Sequence, residues 1–188
     1  FRENDSYVEA EGAYQKAIEL RPENHTIWRN LIRLYLKEMN KPDKATKAAQ
    51  EFIDEAKLPP DDVPYILFDL ACEFLKSGHT DCLPMAEKLA RPAAESEPEG
   101  ECYGSVLAQI IGAQGRWPEA LEWASKCLKA PEEVKENLDE VIDCFIWAAA
   151  AGYDEEVLQR LKEARGRWLV EPLLIGIGMR LGKKVLVA

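Results

Sequence analysis

The chain has 188 residues, 47% of them hydrophobic and 31% charged, enough to bury a substantial core in an ordinary globular protein. Its formal net charge of −10 argues against nucleic acid as a partner, since that binding rests on neutralising phosphates with Lys and Arg. No apolar run is long enough to cross a bilayer, and the N-terminus, FRENDSYVEAE, carries neither a secretory signal nor an initiator Met, which reads as a cut or processed chain.

Strand signals are nearly absent and helical periodicity is everywhere. Taken in order, the predicted helices cover 6–20, 25–38, 42–56, 62–76, 79–90, 101–114, 117–129, 134–150, 154–164 and 168–181. The breakers between them are Pro22, Lys41-Pro42, Pro59-Pro60, Ser77-Gly78, Pro92, Pro98 with Gly100, Gly115, Pro131, Gly152 and Gly166. Short connections between helices of this length predict stacked antiparallel pairs. The pairs fall near 25–56, 62–90, 101–129 and 134–164, after an incomplete pair at 1–22 and before a terminal helix at 168–181, all within a single domain 1–188.

The repeats have recognisable residues. Ala10, Tyr14, Ala17 and Pro22 in AEGAYQKAIELRP, followed by Trp28, Leu31 and Tyr35 in HTIWRNLIRLYL, resemble the second and first helices of the tetratricopeptide repeat. A second copy runs through Leu107, Ala108, Ile111, Gly115, Trp117, Ala120, Ala124 and Pro131. The middle is similar only through Leu67, Gly78, Ala86 and Leu89, with Pro84 early in its second helix, and the fourth pair only in outline. Aligned on Leu31, Leu67, Leu107 and Cys144, the units are 36, 40 and 37 residues apart, against about 34 in the family. The resemblance implies a right-handed α-solenoid in which small residues allow close helix approach and Trp28, Tyr14 and Trp117 fill the gaps between pairs. It also implies ends cut from a longer chain.

Few residues point to chemistry. Five cysteines at 72, 82, 102, 127 and 144 are too widely spaced for a zinc site or a disulfide framework, and read as buried thiols of a reducing, cytoplasmic compartment. His25 stands at a helix start and His79 in a turn, neither beside a second ligand or a nucleophile. Asp61-Asp62 and Glu132-Glu133 open helices, where negative charge is favoured. The glycines 176, 178 and 182 ahead of Lys183-Lys184 miss the spacing and the hydroxyl of a phosphate loop. No cofactor, metal or catalytic residue is expected.

The resemblance implies instead a ligand groove lined by the first helix of each pair. Its residues here are Arg29, Asn30, Arg33 and Lys37 on the first of these helices, Tyr65 and Asp69 (with Glu73 beyond) on the second, and Ser105 and Gln109 (with Ala113 beyond) on the third. The basic row suits an acidic segment or a terminal carboxylate. The acids on the second helix depart from the basic clamp of the chaperone-tail-binding members. The expected function is therefore a scaffold for a protein or peptide partner, with no membrane and no nucleic acid, and with neighbouring domains of a longer chain. The alternative is a regulatory or sensor segment of an ATP-dependent bacterial signalling protein, whose chain ends EPLLIGIGMRLGKK resembles. The last thirty residues carry +5 against −15 before them, so that end could dock on a neighbouring domain.

Overall fold

A computed structural model describes residues 2–55, 59–96, 101–128 and 138–164. Every regular element among them is helical, as expected for an all-α chain. α1 is Arg2–Leu20 and α2 is His25–Arg33, which runs directly into a π turn, Leu34–Glu38. α3 is Pro42–Glu55 and α4 is Val63–Ser77; a 3₁₀ turn at Thr80–Cys82 leads into α5, Leu83–Ser96. α6 is Glu101–Ala113, α7 is Trp117–Cys127, α8 is Leu138–Ala150 and α9 is Asp154–Glu163. The expected terminal helix, the glycine-rich stretch beside it and Glu132-Glu133 lie outside the described residues.

Proline and asparagine set many of the starts. Pro42 opens α3, Pro64 and Pro118 sit in the first turns of α4 and α7, and Pro84 in that of α5. A helix's first N–H groups have no partner within it, so proline loses little there. Pro84 is thus a start signal, not a flaw in a repeat. Asn24 caps α2 by accepting the Thr26 N–H at 3.1 Å. Pro92 was expected to end its helix near residue 90, yet α5 continues to Ser96. Ala90, Ala93 and Ala94 are fully buried on both sides of it, and this packing offsets the hydrogen bond that proline removes.

Four turns repeat the same backbone device. Asn40, Gly78, Gly115 and Gly152 all have positive φ, at 50°, 74°, 81° and 97°, and each ends the first helix of a pair. This left-handed residue reverses the chain so that orphan helix carbonyls find a donor. Their spacing is 38, 37 and 37 residues, and it corrects the register read from the sequence. Fully buried Leu70, Leu107 and Cys144 each stand eight residues before their glycine, whereas Leu67, the expected counterpart, is only half-buried.

Leu31 stands nine before Asn40, and the extra residue is the π turn. The N–H after the left-handed residue bonds the carbonyl five back in two repeats (Arg116 to Ile111, Tyr153 to Ala148), but six back in the first (Lys41 to Tyr35, 2.7 Å). The bond from Met39 N–H to the Leu34 carbonyl, 2.9 Å, closes the wider loop.

The chain divides into two compact units, residues 1–93 and 94–188. In the first, α2 packs against α1, α3 and α4. Trp28 is 2% exposed; its ring centroid lies 5.7 Å from that of Phe52 and its indole N–H donates to the Pro22 carbonyl at 2.8 Å. Tyr14, expected as a gap-filler, is half-buried, and Val8 and Leu20 of the same helix are exposed. In the second unit α6 and α7 approach most closely. A Cβ on Gly112 would stand 2.5 Å from the Trp117 ring, and one on Gly104 would stand 2.7 Å from Cys127 Sγ. α8 lies against both helices, and α9 against α7 and α8.

Candidate interaction site

The expected groove residues fall in different places. Arg29 donates to Asp69 at 2.8 Å and Lys37 lies 3.4 Å from Glu73, so two ion pairs tie α2 and its π turn to α4. Both pairs run in the same chain direction, which makes the two helices parallel neighbours. The acids that looked like a departure from a basic clamp are therefore the partners of the basic row. Arg33, between the two pairs, is exposed and donates to Asn30 Oδ1 at 3.3 Å. Tyr65 is 57% exposed, one turn before Asp69 on α4.

Ser105 is fully buried in α6, so it cannot line an exposed groove, and Gln109 of the same helix is half-buried. Ser105 was placed on the exposed stripe by counting turns from its neighbours. Its side chain is instead covered within the helical packing around α6, next in sequence to Gly104, which faces Cys127 of α7. Both residues belong to the second unit.

The electrostatics of the α2–α4 seam are layered. The side chains of Arg29 and Lys37 are 31% and 41% exposed, those of Asp69 and Glu73 22% and 14%. The carboxylates thus sit deeper than the cations they hold, and with Arg33 the outer layer of this face is basic on an acidic protein. Exposed pairs of this kind add little stability, typically under about 1 kcal/mol each. Their effect is to fix the long side chains in place and so lower the entropy lost when a ligand binds.

A polar network that the sequence did not disclose lies on another face of α2. Glu11 of α1 accepts from the Tyr35 hydroxyl at 2.9 Å and from Lys44 of α3 at 2.5 Å. Burial raises the Glu11 carboxyl, but the hydrogen bonds from Lys44 and Tyr35 outweigh it and hold the group below its usual range. Burial and the Glu11 carboxylate push the Tyr35 phenol well up. Tyr35 and Lys44 stand 24 and 33 residues from Glu11, and Tyr35 reads as plain core, so nothing in the sequence pairs the three.

The remaining candidates have structural places. His25 opens α2, and the His79 ring nitrogen Nε2 lies 3.2 Å from the Leu36 carbonyl, which ties the second left-handed turn to the π turn. Cys82, Cys127 and Cys144 are buried, and burial pushes the Cys144 thiol up to about 12. Such a thiol is a small hydrophobe rather than a nucleophile. Among the described residues no group of three or more His, Cys, Asp and Glu is placed to hold a metal ion, and no helix is long and apolar enough to cross a membrane. No family model matches the chain, and no curated protein matches it.

Proposed function

We propose that this chain is a protein-interaction module of tetratricopeptide type, a right-handed α-solenoid that holds an extended acidic segment of a partner protein. The segment lies across α2 and α4, with its carboxylates on Arg33 and on the outer edges of Arg29 and Lys37. Asn30 adds a hydrogen bond and Tyr65 an apolar flank. The single observation that carries this reading is the layered charge of the seam, cations outside and carboxylates beneath. The recurrence of a left-handed turn every 37 or 38 residues supports the repeat architecture. In this reading the chain is a cytoplasmic binding scaffold within a longer protein, with no catalytic role.

Arg33 is the informative residue, because its change breaks no ion pair to α4. A partner recovered by affinity capture would be titrated against the wild type and Arg33→Glu at two salt concentrations. Affinity should fall about tenfold, roughly 1.4 kcal/mol, and the wild-type affinity should weaken with salt. Equal affinity of the two proteins at both salt concentrations would remove α2 and α4 from recognition.

A further inference from the structure

The recess beside the Glu11 network has chemistry of the opposite sign to the α2–α4 face. It encloses about 430 Å³ between α1, α2 and α3, within the range of side-chain and small-ligand sites. Ile18, Trp28 and Leu31 make its apolar floor, and three carboxylates, Glu11, Glu51 and Glu55, reach it from the two flanking helices.

A cation already occupies one end and shows what the recess satisfies. The Lys44 ammonium sits on the Glu11 carboxylate at 2.5 Å and 5.4 Å from the centroid of the Tyr35 ring, so carboxylate and aromatic face share it. The other end is not balanced. Lys47 lies 3.4 Å from Glu51 but is itself 79% exposed, so it is a loose tether. Glu55, one turn further along α3, is exposed and has no ion-pair partner among the described residues. Three acids against two lysines leave the lining negative, on a chain whose net charge of −10 draws basic partners from a distance.

We infer that this recess receives one arginine or lysine side chain of a partner protein segment, with an apolar neighbour of that residue resting on the Ile18–Trp28–Leu31 floor. The cation lies between Glu51 and Glu55 and displaces Lys47 towards solvent. Lys44 stays on Glu11 and closes the opposite end. The site uses a different face of α2 from Arg29, Arg33 and Lys37, so it does not depend on the acidic-segment reading.

The probe is the peptide acetyl-Leu-Arg-Leu-amide, titrated into the ¹⁵N-labelled full chain. Saturable shifts are expected at the Trp28 indole N–H and the Gln15 side-chain amide. The same peptide with norleucine for arginine should bind at least tenfold more weakly. So should the arginine peptide with the Glu51→Lys, Glu55→Lys double variant, whose changes fall on one half-buried and one exposed position outside the apolar core and should leave the melting temperature in place. Arg33→Glu should leave this titration unchanged. The inference is overturned by unmoved Trp28 and Gln15 signals, by equal binding of the norleucine peptide, or by equal binding to the double variant.

Discussion

Trp28 joins three structural levels in one side chain: its ring meets Phe52 of α3, its indole N–H holds the Pro22 carbonyl ahead of α2, and it helps line the α1–α3 recess. Trp28→Ala should cost about 3–5 kcal/mol in chemical denaturation, the usual range for a buried large aromatic. The glycines offer an internal control for packing against propensity. Gly12 is exposed in α1 with nothing within 4 Å of an added Cβ, so Gly12→Ala should stabilise by roughly 0.8–1 kcal/mol through helix propensity alone. Gly112→Ala gains the same propensity but drives a methyl into the Trp117 ring, and overpacking of about 1–3 kcal/mol should make it net destabilising. Glu11 adds a pH dependence. Its carboxyl titrates below its ordinary range when folded, so its contribution is complete at neutral pH and fades as acid protonates it. The melting-temperature gap between wild type and Glu11→Gln should be constant across neutral and mildly acidic pH and should narrow only below the ordinary carboxyl value of 4.5.

At the scale of elements, the turns were the most legible feature and the register within helices the least. Gly78, Gly115 and Gly152 were named as breakers from residue type alone, because glycine is the residue that takes positive φ without strain. Asn40 does the same work and was passed over in favour of Lys41-Pro42. The π turn could not be read at all. LIRLYLKE has the apolar spacing of an ordinary helix, and the extra residue shows only when the hydrogen bonds of Asn40's turn are set against those of Gly115 and Gly152. The missed residue count and the misplaced Leu67 both distorted the repeat spacing, and with it the residues assigned to equivalent stripes. Arg29, Arg33 and Lys37 share one face because four-residue spacing within one helix needs no register between repeats. The burial of Ser105 was not legible, since it depends on how neighbouring helices pack on α6. The turns themselves can be tested. An added Cβ on Gly115 meets nothing within 4 Å, so Gly115→Ala carries only the backbone cost, about 1–2 kcal/mol, while Asn40→Ala should cost less because that site already bears a side chain. Urea midpoints at a constant denaturant slope would separate the two.

At the scale of the molecule, the two units bear on how stability is shared. In a helical repeat each element is stabilised by its neighbours along the chain, and the contacts given above join helices close in sequence, such as α2 with α3 and α6 with α7. The first unit has its own apolar centre in Trp28, Leu31, Ile32, Phe52, Leu70 and Phe74, drawn from three helices, together with the α2–α4 ion pairs. All six of these residues lie within residues 1–96. A fragment of residues 1–96 should therefore give a helical far-UV circular dichroism spectrum and a cooperative thermal transition, with a lower midpoint than the full chain because it buries less surface in total. Trp28→Ala should destabilise fragment and full chain by similar amounts, since its partners are all within the fragment. Phe145→Ala, in the core of α8, should lower the stability of the full chain by a comparable few kcal/mol. A fragment without helical signal, or one that melts without a transition, would mean that the first unit depends on the second for its fold and that the chain is one cooperative body.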